Sequence, residues 1–320
     1  MILAGDVGAT KILLEVGEKR SGRWEPAFAR RYEAAGAASF SEVLETFFDE
    51  LGGGGSGPPR LTAAGFGVAG PVSGNRAKMT NRPWAVDGDA ISERFRVPKV
   101  RVVNDLVACA QGIAWVAPRE SVSIQPGRAS DTDPCVVLGV GTGLGIAYLV
   151  PVDGELRAVP GEGGHAGFAP ATRAQMALWE AIYASAGRVS AETILSGAGL
   201  ATVYSFLHGQ GAHPGTAPEL APERITEAGL DGSDPLCRAA LDLFVECLGT
   251  VAGDHALAAM ARGGVFLTGG VTAKIVTRLQ DGRFREAFCA KAPFSALLMK
   301  IPVRAITSER VGVIGAARLA

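Results

Sequence analysis

Twice along the chain an apolar strand runs into a glycine-bearing turn and straight back out as a second strand. The first instance reads ILAG, DVGATK, ILLEVGE, RSG and RWEPAFARR, with glycine marking each reversal. The second reads CVVLGV, GTGLG, IAYLVPV and ELRAVP, the last two joined by Asp153-Gly154, a dipeptide favoured in two-residue hairpins. What repeats is the order of elements rather than residue identity. That order predicts two related α/β domains facing one another.

Helices alternate with these strands. SFSEVLETFFDEL begins at Ser39, with Glu42 three residues on as a capping box and Phe40, Val43, Leu44, Phe47, Phe48 and Leu51 as the buried face. Asp234-Pro235 supplies a cap and first turn for a long helix through Met260. GGVFLTGG, 263 to 270, is an apolar strand ending in a glycine pair, with a helix expected from near Thr272, and IPVRAITSERVGVIGAARLA closes the sequence as a strand and a last helix. LGGGGSGPPRL, 51 to 61, reads as a connector, and HGQGAHPGTAPELAPER, 208 to 224, as a surface loop or a mobile lid.

With 320 residues, 48% of them hydrophobic and 20% charged, the chain can build one large or two medium cores. Its formal net charge of -1 gives no general reason to bind nucleic acid or an anionic membrane, so any phosphate must be held locally. MILAGDVGATK lacks the basic and apolar regions of a signal peptide, and no apolar run approaches ~20 residues. Five cysteines form no CxxC or CxH pair and four histidines no HxxxH, so neither a disulfide framework nor a structural metal is expected, and reduced thiols fit the cytoplasm.

VRVVNDLVACA, 100 to 110, sets Asn104 and Asp105 where a β-branched run meets the helical spacing of Leu106, Val107, Ala110 and Ile113. On this stretch alone the pair reads as a helix cap. Three glycine-bearing turns also end strands: Gly5 to Lys11, Gly141 to Gly145, and Gly269-Gly270. Small residues there let backbone N–H groups converge on an anion, although GTGLG alone reads equally as a hairpin tip. The chain has neither the GxxxxGK[ST] of a Walker loop nor, at these turns, GxGxxG with its distant acid.

Together the elements form an ordered set: LAGDVGATK, GVAGPVSGN with MTNRPW, VVNDLVA, GVGTGLG, EGGHAGFAP, ETILSGAGL and GGVFLTGG. From residue 3 nearly to its end the chain resembles the bacterial glucokinases of the actin and hexokinase superfamily. The resemblance implies two actin- and hexokinase-like (ribonuclease H-like) α/β domains around a cleft, a smaller one of 1–105 plus 306–320 and a larger one of 106–305. It also implies transfer of the γ-phosphoryl of ATP to the 6-hydroxyl of glucose, assisted by magnesium.

On that resemblance Asp105 is the general base and Asn104 a partner of a neighbouring hydroxyl. Glu162, His165 and Glu192 are the further glucose ligands. Asp6 organises Mg²⁺, through water. Gly8, Ala9 and Thr10 face the departing phosphate, while Lys11 beside them reads either as an electrostatic partner or as a solvated lysine. Gly141, Thr142 and Gly143 hold phosphates from the other domain, and Gly269 and Gly270 border the adenosine.

Ala9 departs from the usual DxGGT turn, and it is expected to occupy an ordinary backbone region with the turn intact. GHAGFAPATRAQ carries no cysteine, which favours the zinc-free group over the related repressor and kinase family. A DNA-binding regulator would need an appended helix-turn-helix, and the kinase motifs begin at residue 4. Another hexose, a polyphosphate or ADP donor, and a non-catalytic sugar sensor remain the alternatives. A homodimer is expected, with hinges near 104–106 and 304–308.

Overall fold

The computed structural model of the protein describes residues 1–52, 59–79, 82–211 and 220–320. The centre of the glycine-rich connector, residues 80–81 of MTNRPW and residues 212–219 of the second Pro- and Gly-rich stretch lie outside the described residues. Two compact units are present: Met1–Ala117 with Arg157–Pro160 and Ser308–Ala320, and Pro118–Leu156 with Gly161–Thr307.

The first unit contains a five-stranded sheet in the order Arg23–Glu33, Lys11–Arg20, Ile2–Val7, Ala63–Val68, Val100–Asn104. Tight turns force the first three strands to pair antiparallel, whereas the last two follow crossovers and pair parallel to Ile2–Val7 and to each other. AAGFGV, the fourth strand in this order, is buried at every position, as a parallel strand covered on both faces must be.

A second sheet has six strands, ordered Glu155–Gly161, Leu144–Val152, Cys135–Val140, Gly264–Thr268, Val303–Ile306, Ser121–Gln125, and belongs to the second unit except for Arg157–Pro160 of its first edge strand, which group with the first unit. Its first five repeat the order of the other sheet, with the same parallel centre, and Ser121–Gln125 adds an antiparallel edge. The expected repeat is therefore real at the level of connectivity. Asp153 (φ 52°) and Gly154 (φ 79°) both turn left-handed, which matches the right-handed twist of the strands they join.

Helix Phe40–Gly52 buries Phe40, Val43, Leu44 and Phe47, with Phe48 and Leu51 at the margin of the core. Ser39 Oγ accepts from Glu42 N at 3.3 Å, and the Glu42 carboxylate reaches back to Ala38 N at 2.7 Å, one residue beyond a strict capping box. Asp234 caps Pro235–Ala258 by accepting from Leu236 N at 2.7 Å and Cys237 N at 3.3 Å. The helix after GGVFLTGG starts at Gly270, two residues before the position expected from sequence, because Gly269 (φ 99°) turns the chain immediately after the strand. Among the described residues no helix is long and apolar enough to cross a membrane.

Helix Asp105–Gly112 belongs to the first unit, where it packs on the last helix, Val311–Leu319. A Cβ at Gly315 would overlap the Ala108 carbonyl and one at Gly112 the Val311 carbonyl, so the two backbones touch directly. Sequence placed the division at residue 105; the unit limits fall after Ala117 and before Ser308.

The start of that last helix is tied to the sheet by a charge. Glu15, its side chain 2% exposed, accepts from Arg310 Nε at 2.7 Å and Nη2 at 2.8 Å, and from Trp24 Nε1 at 2.6 Å. Removing one partner of a buried pair leaves the other uncompensated, and Arg310 is partly solvated, which moderates the loss. Glu15→Ala is expected to cost about 3 kcal/mol in urea unfolding, and a loss below about 1 kcal/mol would show that the network does not anchor the helix.

Candidate active site

In the first unit the register aligns Asp6 with Gly67 and Gly67 with Val103, and one step further Val7 with Val68 and Val68 with Asn104. Asp6 and the Asn104-Asp105 pair thus emerge together at the carboxyl edge of three parallel strands, where open α/β sheets bind ligands. Asn104 caps the helix Asp105–Gly112: its Oδ1 accepts from Leu106 N at 3.0 Å and Val107 N at 3.3 Å, while its Nδ2 donates to Gly70 O at 3.3 Å. The local cap reading is correct, and it fixes Asp105 as the first helical residue. Asp105 Oδ1 accepts from Leu106 N at 2.8 Å.

Asp6 has its carboxyl pushed up to about 7, first by burial and then by the charge of Asp105. The same burial and the two carboxylates hold the Cys109 thiol well above its ordinary range. The last helix approaches Asp6 so closely that a Cβ on Gly312 would lie 2.5 Å from Asp6 Oδ2. In the first glycine turn Gly8 N donates to Lys11 O at 3.0 Å, and Arg82 Nε to Ala9 O at 2.6 Å. Ala9 is not among the residues with positive φ, as expected, and Thr10 and Lys11 are exposed.

In the second unit, the GTGLG turn, Glu192 and the EGGH loop come together. Gly141 N donates to Gly143 O at 2.9 Å, and Gly197 N to Gly141 O at 2.9 Å. Glu192 sits in the first turn of Ala191–Ile194, whose cap is the reciprocal pair Ser190 and Thr193. Its Oε2 accepts from Leu144 N at 2.8 Å and its Oε1 lies 3.8 Å from His165 Nδ1. A Cβ on Gly143 would run into that carboxylate, so a side chain there would displace Glu192. Thr142 is exposed at the tip, Glu162 and His165 are exposed on their loop, and Gly269 lies against the Val140 carbonyl with Gly270 exposed beside it.

Two contributors escaped the sequence reading. Asn75, within GVAGPVSGN, donates through Nδ2 to Val100 O at 3.0 Å and accepts at Oδ1 from Val102 N at 2.9 Å, covering the edge of the strand that delivers Asn104. The Glu192 to Leu144 bond joins segments 48 residues apart. Neither leaves a periodic trace, and only their place inside matched motifs hinted at them.

The sequence profile of the family described as Glucokinase matches residues 3–320. Glucokinases of Cupriavidus metallidurans and Mesorhizobium japonicum are 35% and 38% identical to this chain, over 99% and 100% of it and 92% and 91% of their own lengths. The chain belongs to the glucokinase family. Among solved structures, a glucokinase from an Antarctic psychrotroph is similar at a TM-score of 0.86 and 28% identity, over 99% of this chain and 98% of that one. Glucokinase membership makes the protein an ATP-dependent sugar kinase with the actin- and hexokinase-like fold that its repeated sheets display.

The raised Asp6 carboxyl gives a pH test. An acid whose folded pKa exceeds its unfolded value stabilises the fold below the unfolded pKa, ~4, and that contribution is lost as pH rises through the folded value near 7. In metal-free buffer Asp6→Asn should therefore melt higher than the parent at pH 8, with the gap shrinking toward pH 4. A gap that does not change with pH would place the Asp6 carboxyl at an ordinary pKa.

Proposed function

We propose that the protein transfers the γ-phosphoryl group of ATP to the 6-hydroxyl of glucose, giving glucose 6-phosphate and ADP, with Asp105 as general base. The observation that carries this reading is the pairing of Asp105 with a sheltered Asp6 at the carboxyl edge of the sheet. A sugar hydroxyl is a weak nucleophile at neutral pH. Asp105 takes its proton as the O6–Pγ bond forms, and the electrons of the breaking Pγ–O bond leave on the β-phosphate of ADP. As the first residue of its helix, Asp105 keeps its carboxylate near the positive end of the helix dipole.

Two neighbouring carboxylates, one of them already short of compensation, suit a hard cation, and Asp6 would hold Mg²⁺ through its water shell. When bound, that ion supplies neutralisation of phosphate charge. Gly8, Ala9, Thr10 and Lys11 would serve the phosphates, with Gly141, Thr142 and Gly143 doing so from the second glycine turn. Gly269 and Gly270 would border the adenosine. Glu162, His165 and Glu192 would hydrogen-bond the sugar hydroxyls. Asn104, whose oxygen is committed to its cap, would contribute through the N–H that remains on its amide. A wrong epimer would leave such groups unpaired, which is the basis of the proposed preference for glucose. A homodimer in the cytoplasm completes the proposal, the setting supported by five free thiols.

A coupled assay of glucose 6-phosphate formation with ATP and Mg²⁺, run beside mannose, fructose and N-acetylmannosamine, should show turnover strongly favouring glucose. Asp105→Ala should lower kcat by roughly 10²- to 10⁴-fold while calorimetry still detects glucose binding. Near-normal turnover in that variant would remove Asp105 as the base. Glu162→Gln and His165→Ala should instead act mainly on the glucose KM.

A further inference from the structure

Glu162 stands between two glycines, and each glycine lies beside one ring of a hydrogen-bonded pair that takes no part in the proposed chemistry. Tyr148, on strand Leu144–Val152, and His255, near the end of helix Pro235–Ala258, meet with Tyr148 Oη 2.8 Å from His255 Nδ1. A Cβ added to Gly161 would lie 3.4 Å from Tyr148 Cε2. One added to Gly163 would lie 2.8 Å from His255 Cε1 and 3.2 Å from Ile146 Cβ. The backbone on either side of Glu162 therefore passes beside the two rings, tightly at Gly163 on His255 and with ordinary contact room at Gly161, where the Ile146 carbonyl is nearer still.

Among the described residues no hydrogen bond or ion pair is made by the exposed Glu162 carboxylate, so the backbone is what sets the point from which the side chain extends. That backbone is closed by His165 N donating to Glu162 O at 3.0 Å and Ala166 N to Gly163 O at 3.1 Å. The loop's floor is half-buried: burial lowers the His255 pKa, with Asp254 acting in the opposite direction. Both rings would gain rotamer freedom without the bond that joins them.

We infer that the Tyr148–His255 pair is a positioning element for Glu162, setting the enzyme's affinity for its sugar without touching the sugar. The inference rests on the reading of Glu162 as a sugar ligand. Tyr148→Phe removes one hydroxyl and leaves the ring against Gly161, so it isolates the bond from the packing. His255→Ala removes the other partner, and His255→Asn restores a polar atom close to the position of Nδ1.

Net hydrogen-bond energies correspond to roughly a three- to tenfold change in affinity. Tyr148→Phe and His255→Ala should each raise the glucose KM by about that factor, with kcat and the ATP KM held within about twofold. The double variant should do no worse than the poorer single one, and His255→Asn should recover most of the loss. Amide exchange at His165 and Ala166 should quicken in Tyr148→Phe. An unchanged glucose KM in Tyr148→Phe, alongside a raised one in Glu162→Gln, would overturn the inference and leave the role of Glu162 standing. An unchanged KM in Glu162→Gln would remove that role and the inference with it. Should His255→Ala fail to fold, Tyr148→Phe decides the matter alone.

Discussion

Burial and the charge of Asp105 together lift the Asp6 carboxyl to about 7, and this costly proximity is what the first unit is built to enforce. Two acids left to themselves would separate and hydrate. Here the parallel register fixes both at one edge, Asn104 caps the helix that starts with Asp105, and Asn75 seals the strand that leads into it. The last helix brings Gly312 against Asp6 from the other end of the sequence, and its start is held by Arg310 on buried Glu15. Each of these contacts is ordinary fold stabilisation. Their sum is a pair of carboxylates held near one another at the edge of the sheet.

The second unit uses the same sheet order for a different end. In both units the first strand of the repeat, Ile2–Val7 or Cys135–Val140, runs directly into a glycine turn. In the first unit that turn is closed within itself by Gly8 and Lys11. In the second, the turn is also held from outside, by Gly197 on Gly141 and by Glu192 on Leu144. Glu192 thereby touches the phosphate-type turn with one carboxylate oxygen and faces His165 with the other. A single side chain couples the geometry of the GTGLG and EGGH loops. A substitution at Glu192 therefore disturbs two loops at once.

What sequence could show of this follows from what leaves a pattern. Strand, turn and helix order leaves one, because apolar period and glycine placement are local, and the repeated sheets, the Asp153-Gly154 turn and the Asp234 cap were all legible. Motif order carried the family. The unit limits were less visible: the helix after Asp105 reads like the start of a new domain, and only its glycine-mediated packing on residues 311–319 assigns it to the first unit. Pairings at long separation, such as Asn75 on the 100–104 strand, Glu192 on Leu144, and Tyr148 on His255, were silent. They depend on which faces the finished fold turns toward each other, and no residue type or spacing encodes that.

Ala9 shows the same distinction inside one motif. A glycine is needed in a phosphate-type turn either where φ is positive or where another group occupies the space of a Cβ. Gly143 meets the second condition through the Glu192 carboxylate, and Gly269 meets both, with φ 99° and the Val140 carbonyl beside it. Ala9 meets the first in no respect, and its methyl packs at the margin of the first unit's core while Arg82 takes its carbonyl. The departure from DxGGT therefore substitutes a position where glycine's freedom is not used. The turn keeps its Gly8 to Lys11 closure, and the alanine lowers the entropy that a second glycine would lose on folding.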